Sequence, residues 1–240
     1  MDIAAKIASE LQIRNNQAEA AIKLIDEGNT IPFISRYRKE ATGALNDEQL
    51  RKLFERLNYL RNLEDRKSTV LSSIEEQGKL TAELKKQIES AETMVAVEDL
   101  YRPYKQKKRT RATIAKERGL SGLASIISLQ MTKKALEDEA KSYIDAEKDV
   151  PNTDTAISGA LDIIAEEISD SADYRTKIRS LTFKDGNLTS VAKDPEAESV
   201  YEMYYNFSSP VSKLTGYRVL AINRGEKEKV LTVKLEAPVD

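Results

Sequence analysis

From Glu98 to Arg118 the chain reads EDLYRPYKQKKRTRATIAKER. From Arg102 to Arg118, Arg102, Lys105, Lys107, Lys108, Arg109, Arg111, Lys116 and Arg118 stand against one acid, Glu117: a net of +7 over seventeen residues, in a chain whose total is −2. Cations at this density displace the counterions condensed on a phosphate backbone, and neighbouring flat rings can stack on bases. Tyr101 and Tyr104 supply such rings at the leading edge, and Pro103 stiffens the approach. A solvated basic loop has the same composition, so charge alone leaves both readings open. A smaller group, Arg36, Arg38 and Lys39 around Tyr37, repeats the pattern. Its competing reading is structural: Phe33, Ile34 and Tyr37 pack inward, and the arginines pair with acids such as Glu40.

Other chemistry is thin. The chain has no cysteine and no histidine, which removes disulfides, thiolate nucleophiles, histidine acid–base catalysis and the commonest metal ligand. Neither a Walker-type phosphate loop nor a GxGxxG occurs. Asp162, Glu166 and Asp170 fall at i, i+4 and i+8 of a helical pattern. Aligned carboxylates can hold a metal, but three repelling acids without a histidine read better as a solvated face. No catalytic residue, metal or cofactor is expected, and an independent enzyme is not.

The elements that must carry these residues are mainly helical. The 240 residues include 9 glycines and 6 prolines, few for a turn-rich β fold, with 40% hydrophobic and 32% charged residues. Ile3, Ile7 and Leu11 mark a first helix; Ala18, Ala21, Ile22 and Ile25 a second, ending at Gly28. Such a pair suits a helix-turn-helix or any small bundle. Thr30 caps a short helix with Pro32 in its first turn. Asn46 or Asp47 starts the longest element, whose apolar residues run from Leu50 to Ile74 until Gly78; unbroken, it is a rod of roughly 45 Å. Its stripe lapses at Glu64–Lys67, where a kink is expected, or emergence from the packing partner. Thr81 and Thr93 open two further helices, and the second runs into Tyr101-Arg102-Pro103, so the basic block leaves a helix end as an exposed loop. Helical patterns resume at 114–127, broken near Gly119 or Gly122, then at Leu136–Ile144 and, capped by Thr153 or Asp154, at Ile157–Ile168. Twelve acids crowd residues 135–175 against Lys141, Lys148 and Arg175. Beyond Leu181 the pattern predicts a helix and small hairpin, a Tyr-rich helix over Glu198–Phe207, a helix over Val211–Ala221, and a last strand over Val230–Leu235 with little left to pair with. No apolar run is long enough to span a bilayer and no signal peptide is recognisable, so a soluble, cytoplasmic protein without membrane contact is expected.

Four blocks, TIPFISRYRKEATGALNDEQL (30–50), SIEEQGKLTAEL (73–84), VEDLYRPYKQKKRTRATIAKERGL (97–120) and YNFSSPVSKLTGYRVLAINRGEKEKVLTVKLE (205–236), together resemble the N-terminal region of the Tex family of bacterial transcription accessory proteins, which are related to a eukaryotic elongation factor. The resemblance covers most of the chain. It implies a helical array with a helix-turn-helix-like portion, a long central helix and a small β element near the C-terminus. It also implies that this is a fragment: residues 1–185 form the helical region, and 186–240 lead toward an RNase-H-like domain, followed in the family by helix-hairpin-helix repeats and a nucleic-acid-binding OB fold. Tyr217 stands where the family leads one to expect the histidine of a Ser-His-Arg-like tripeptide, so that histidine's role does not carry over.

Two functions follow. In one, Arg102, Lys105, Lys107, Lys108, Arg109 and Arg111, with Arg36, Arg38 and Lys39, bind RNA or DNA without reading sequence, since phosphate contacts carry no sequence information. In the other, the chain is a scaffold that docks the remaining Tex domains or the transcription machinery, and the basic block pairs with protein acids, among them the 137–173 stretch. Exposure or ion-pairing of the cations discriminates them.

Overall fold

The computed structural model describes residues 2–106 and 108–238, and the chain divides into two compact units, Met1–Tyr104 and Lys105–Asp240. The first unit is all helical: α1 Ile3–Leu11, α2 Asn15–Asp26, α3 Ile31–Tyr37, α4 Lys39–Thr42, α5 Asp47–Glu76, α6 Ala82–Ser90 and α7 Met94–Tyr101. The boundaries follow local chemistry. Asn46 accepts from the Gln49 amide while Gln49 reaches back to the Asn46 N–H, a reciprocal cap that starts α5. Thr81 and Thr93 cap α6 and α7 through their hydroxyls. Gly28 and Gly78 adopt positive φ just past α2 and α5, where a β-carbon would be strained.

α5 is the spine. Leu50, Leu53, Leu57, Leu60, Leu63, Val70 and Ile74 are buried along it, and Ile7, Ile34, Ile88 and Val97 close over them from α1, α3, α6 and α7. Burying each large aliphatic side chain contributes roughly 1.5–3 kcal/mol. The helix does not break at Glu64–Lys67. Lys67 occupies the stripe itself, 4% exposed, and its ammonium donates to Glu64 Oε1 and to the Glu89 carbonyl, each at 2.9 Å. That carbonyl belongs to the last turn of α6, so the lysine satisfies a helix C-terminus from a neighbouring helix. Three arginines of α5 hold its neighbours by their carboxylates: Arg56 to Glu10 of α1 (2.6 and 2.8 Å), Arg61 to Asp26 of α2 (2.7 and 2.8 Å), and Arg66 to Glu98 of α7 (2.5 Å). Hydrogen bonding to the guanidinium holds the Glu10 and Asp26 carboxyls below the usual carboxylate range.

The second unit begins with α8 Arg111–Glu117, α9 Ser121–Leu129, α10 Leu136–Ala140, α11 Thr153–Asp170 and α12 Ala172–Asp185. Gly119, at φ +84°, makes the break between α8 and α9. α11 is capped by Asn152, one residue earlier than the sequence pattern indicates. Gly159 of α11 lets α8 and α9 approach: a β-carbon there would lie 2.4 Å from a Leu120 methyl. Beyond Asp185 come β1 Asn187–Ala192, β2 Asn206–Pro210, α13 Gly216–Lys227 and β3 Leu231–Glu236, the strands forming an antiparallel sheet in the order β2-β1-β3. Two expectations are corrected here. The Tyr-rich segment 198–207 is no helix; it makes a short 3-10 turn, Glu202–Tyr204, and enters β2, because Asn206 and Phe207 pair with Val191 and Ser190. The last strand is no orphan, since β3 pairs with β1 along its whole length, Asn187 opposite Glu236 and Ala192 opposite Leu231. Tyr201 and Tyr204 join Ile222 and Leu231 in a small core beside this sheet. Among the described residues, no helix is long and apolar enough to cross a membrane.

Candidate nucleic-acid interface

In the first unit, Arg36 and Arg38 flank Tyr37 at the end of α3, and Lys39 begins α4. The stripe of α3 sends Ile34 inward and leaves Phe33 half-buried, but Tyr37 is 66% exposed, against the expectation that it packs inward. The rings of Phe33 and Tyr37 lie 5.3 Å apart, with the Arg38 guanidinium 5.1 Å from the Phe33 centroid. Arg36, Arg38 and Lys39 are exposed and have no carboxylate partner among the described residues; the anticipated pairing with Glu40 is not made. Arg102 is exposed in the 3-10 turn Arg102–Tyr104.

The tyrosines beside the block serve the fold. Tyr101 shares a 3.0 Å hydrogen bond with Ser73 of α5 and lies under the Arg66 guanidinium. Tyr104 packs against the core, and its carbonyl accepts from Gln77. Glu98 is taken by Arg66 of the spine and not by an arginine of the block.

In the second unit, Lys105, Lys108 and Arg109 belong to the loop before α8, and Arg111 is the helix's first residue. Lys107 lies outside the described residues. Lys105 and Lys108 are exposed, without an ion pair among the described residues. The cations that follow are engaged. Arg109 Nη2 lies 2.8 Å from Glu117, Arg111 3.5 Å from Asp162, Lys116 3.8 Å from Glu166 and Arg118 3.5 Å from Asp149. Three of those acids come from the acidic stretch, which sequence reading sets apart: Asp162 and Glu166 are brought back by the packing of α11 on α8, and Asp149 comes from the turn before α11. Arg111 remains 86% exposed on its side chain, so its pair is a surface contact worth about 0–1 kcal/mol. Between α8 and α11 lies a cleft of about 470 Å3 lined by Arg111, Arg118, Asp154, Asp162 and Ser158, with charges of both signs. Glu166 also accepts from Thr110, and among the described residues no three potential metal-binding side chains gather.

Two family models match the chain: residues 1–75 the Tex-like protein N-terminal domain, and residues 132–240 the Tex central region-like segment. Full-length comparisons bridge the basic block between them. Protein YdcI of Bacillus subtilis is 46% identical over 98% of this chain and 33% of its own length. The transcriptional accessory protein Tex of Neisseria gonorrhoeae is 42% identical over 100% of this chain and 32% of its own. The human S1 RNA-binding domain-containing protein 1 is 32% identical over 89% of this chain and 22% of its own. The chain thus spans about a third of the bacterial relatives it matches.

Proposed function

The chain belongs to the Tex family of transcription accessory proteins, and on that footing we propose that it contributes sequence-tolerant nucleic-acid binding to transcription. The observation that carries the reading is the set of exposed cations without a carboxylate partner among the described residues: Arg36 and Lys39 in one unit, Lys105 and Lys108 in the other. Arg38, Arg102, Lys107, Arg109 and Arg111 complete the proposed contacts. A partner-free surface lysine has nothing to surrender when a phosphate arrives, whereas Arg109 must first leave Glu117. A relative's name also mentions RNA binding. The soluble, cytoplasmic setting and the docking of further domains belong to the same proposal.

The test is binding to RNA and DNA, single- and double-stranded, across a salt series. Lys105→Ala with Lys108→Ala lowers the log–log salt slope on a single strand by about 1.4, two contacts at about 0.7 each. An unchanged slope and affinity would remove these lysines from the interface. Conversely, Glu117→Gln frees Arg109 and tightens binding about two- to threefold, the scale of a surface ion pair. Unchanged or weaker binding by that variant would show that Arg109 does not reach nucleic acid.

The second reading, a protein-docking scaffold, is favoured by one observation: Arg111 pairs with Asp162 in a cleft of mixed charge that Arg118 and Asp154 also line. Such a cleft matches a protein segment carrying both signs better than a uniformly charged phosphate strand.

A further inference from the structure

We propose that Tyr37 is a stacking platform for an unpaired base, so that the face formed by the end of α3 selects single-stranded nucleic acid over duplex. The inference rests on the nucleic-acid reading and adds what that reading lacks, a group that contacts bases. Phosphate contacts give no preference for unstacked bases, whereas a ring can accept only a base that has left its own stack.

The observations converge on one side chain. Tyr101 and Tyr104, the aromatic residues nearest the densest charge, are committed to Ser73, Arg66 and the core. Tyr37 is 66% exposed, and its ring is backed at 5.3 Å by Phe33. Arg38 lies over that backing ring, so the two aromatics and the guanidinium form one cluster. Arg36 and Lys39 follow on either side in sequence, exposed and without carboxylate partners among the described residues. The one acid between Gly28 and Asn46 is Glu40, also exposed. A ring held from behind and bordered by cations loses little freedom when a base lies on it, and the adjacent phosphates meet positive charge. Burying such a ring against a neighbouring protein would instead strand three cations unless that partner were acidic.

The experiment uses the whole chain, fluorescein-labelled dT12 and U12, and a 12-base-pair duplex, with fluorescence anisotropy at two salt concentrations. Tyr37→Ala is expected to weaken single-strand binding about tenfold with little effect on the duplex. Tyr37→Phe, which keeps the ring, should bind as the parent does. An oligonucleotide carrying 5-iodouridine should photocross-link to the peptide containing Tyr37. Equal single-strand affinity of the parent and Tyr37→Ala overturns the proposal, as does a cross-link confined to other peptides. If that occurs while the Lys105/Lys108 variant still loses affinity, only the platform falls. If the parent binds none of the three probes at low salt, the nucleic-acid reading falls with it.

Discussion

Lys67→Ala is expected to cost the first unit about 3–5 kcal/mol, the scale for removing one partner of a buried ionic contact. The lysine sits where the spine's stripe would otherwise carry a leucine, and it is buried there between Leu63 and Val70. Truncation therefore opens a cavity and takes the cation from the Glu89 carbonyl at the end of α6. Lys67→Met separates the two losses: it keeps a long unbranched stem but no charge, and should still cost about 2 kcal/mol through the unsatisfied helix end. The measurement is urea unfolding followed by circular dichroism; a methionine variant as stable as the parent would mean that the ammonium contributes only bulk. The pH dependence has a definite sign. Burial by itself raises the Glu64 pKa, but its hydrogen bond and charge interaction with Lys67 act the other way, and the carboxyl is held below its ordinary value. A depressed carboxyl contributes stability above the unfolded-state pKa and loses it as pH falls through the lower folded value. The gap between parent and Lys67→Met should accordingly narrow below pH of about 4.

Gly186→Ala should destabilise the second unit by about 3 kcal/mol, at the upper end of the usual cost of overpacking. Gly186 stands between the last turn of α12 and the first residue of β1. A β-carbon there would lie 2.4 Å from the Thr182 carbonyl oxygen and 2.9 Å from that of Glu236. Both obstacles are backbone. Moving the first disturbs the end of α12, and moving the second pulls β3 from β1 where Glu236 pairs with Asn187. The backbone torsion itself is ordinary, so the requirement for glycine is one of space. Loss of amide-exchange protection in β1 and β3 would locate the damage; protection equal to the parent's would refute it.

What could be read from sequence was what depends on near neighbours. The caps Asn46, Thr81 and Thr93, the start of α3 after Thr30, the glycines 28, 78 and 119, and the seven buried aliphatics of α5 announce themselves within a few residues. The larger failures depend on distant partners. Lys67 looks like a gap in the stripe until Glu89 arrives from α6. Residues 198–207 look helical until β1 supplies a strand to pair with. For the candidate site, charge density marked the cations, yet the acids that engage Arg111, Lys116 and Arg118 lie 31 to 51 residues further along the chain, and the one that engages Arg109 lies at the end of α8. Aromatic character marked three tyrosines. Which one faces solvent depends on whether Ser73 and Arg66 stand opposite, as they do for Tyr101.

The three arginine contacts of α5 have a mechanical consequence. Arg56 immediately precedes Leu57 of the stripe, Arg61 immediately follows Leu60, and Arg66 immediately precedes Lys67. At about 100° per residue, Arg56 and Arg66 overhang one edge of the buried seam and Arg61 the other. An apolar seam alone resists rolling poorly, because leucines tolerate many rotations of comparable energy. With a carboxylate gripped on each edge, any roll of the rod, clockwise or anticlockwise, stretches at least one clasp. Exposed pairs of this kind add little to stability. They act instead as a key in a shaft, indexing the rotation at which α1, α2 and α7 lock onto the spine.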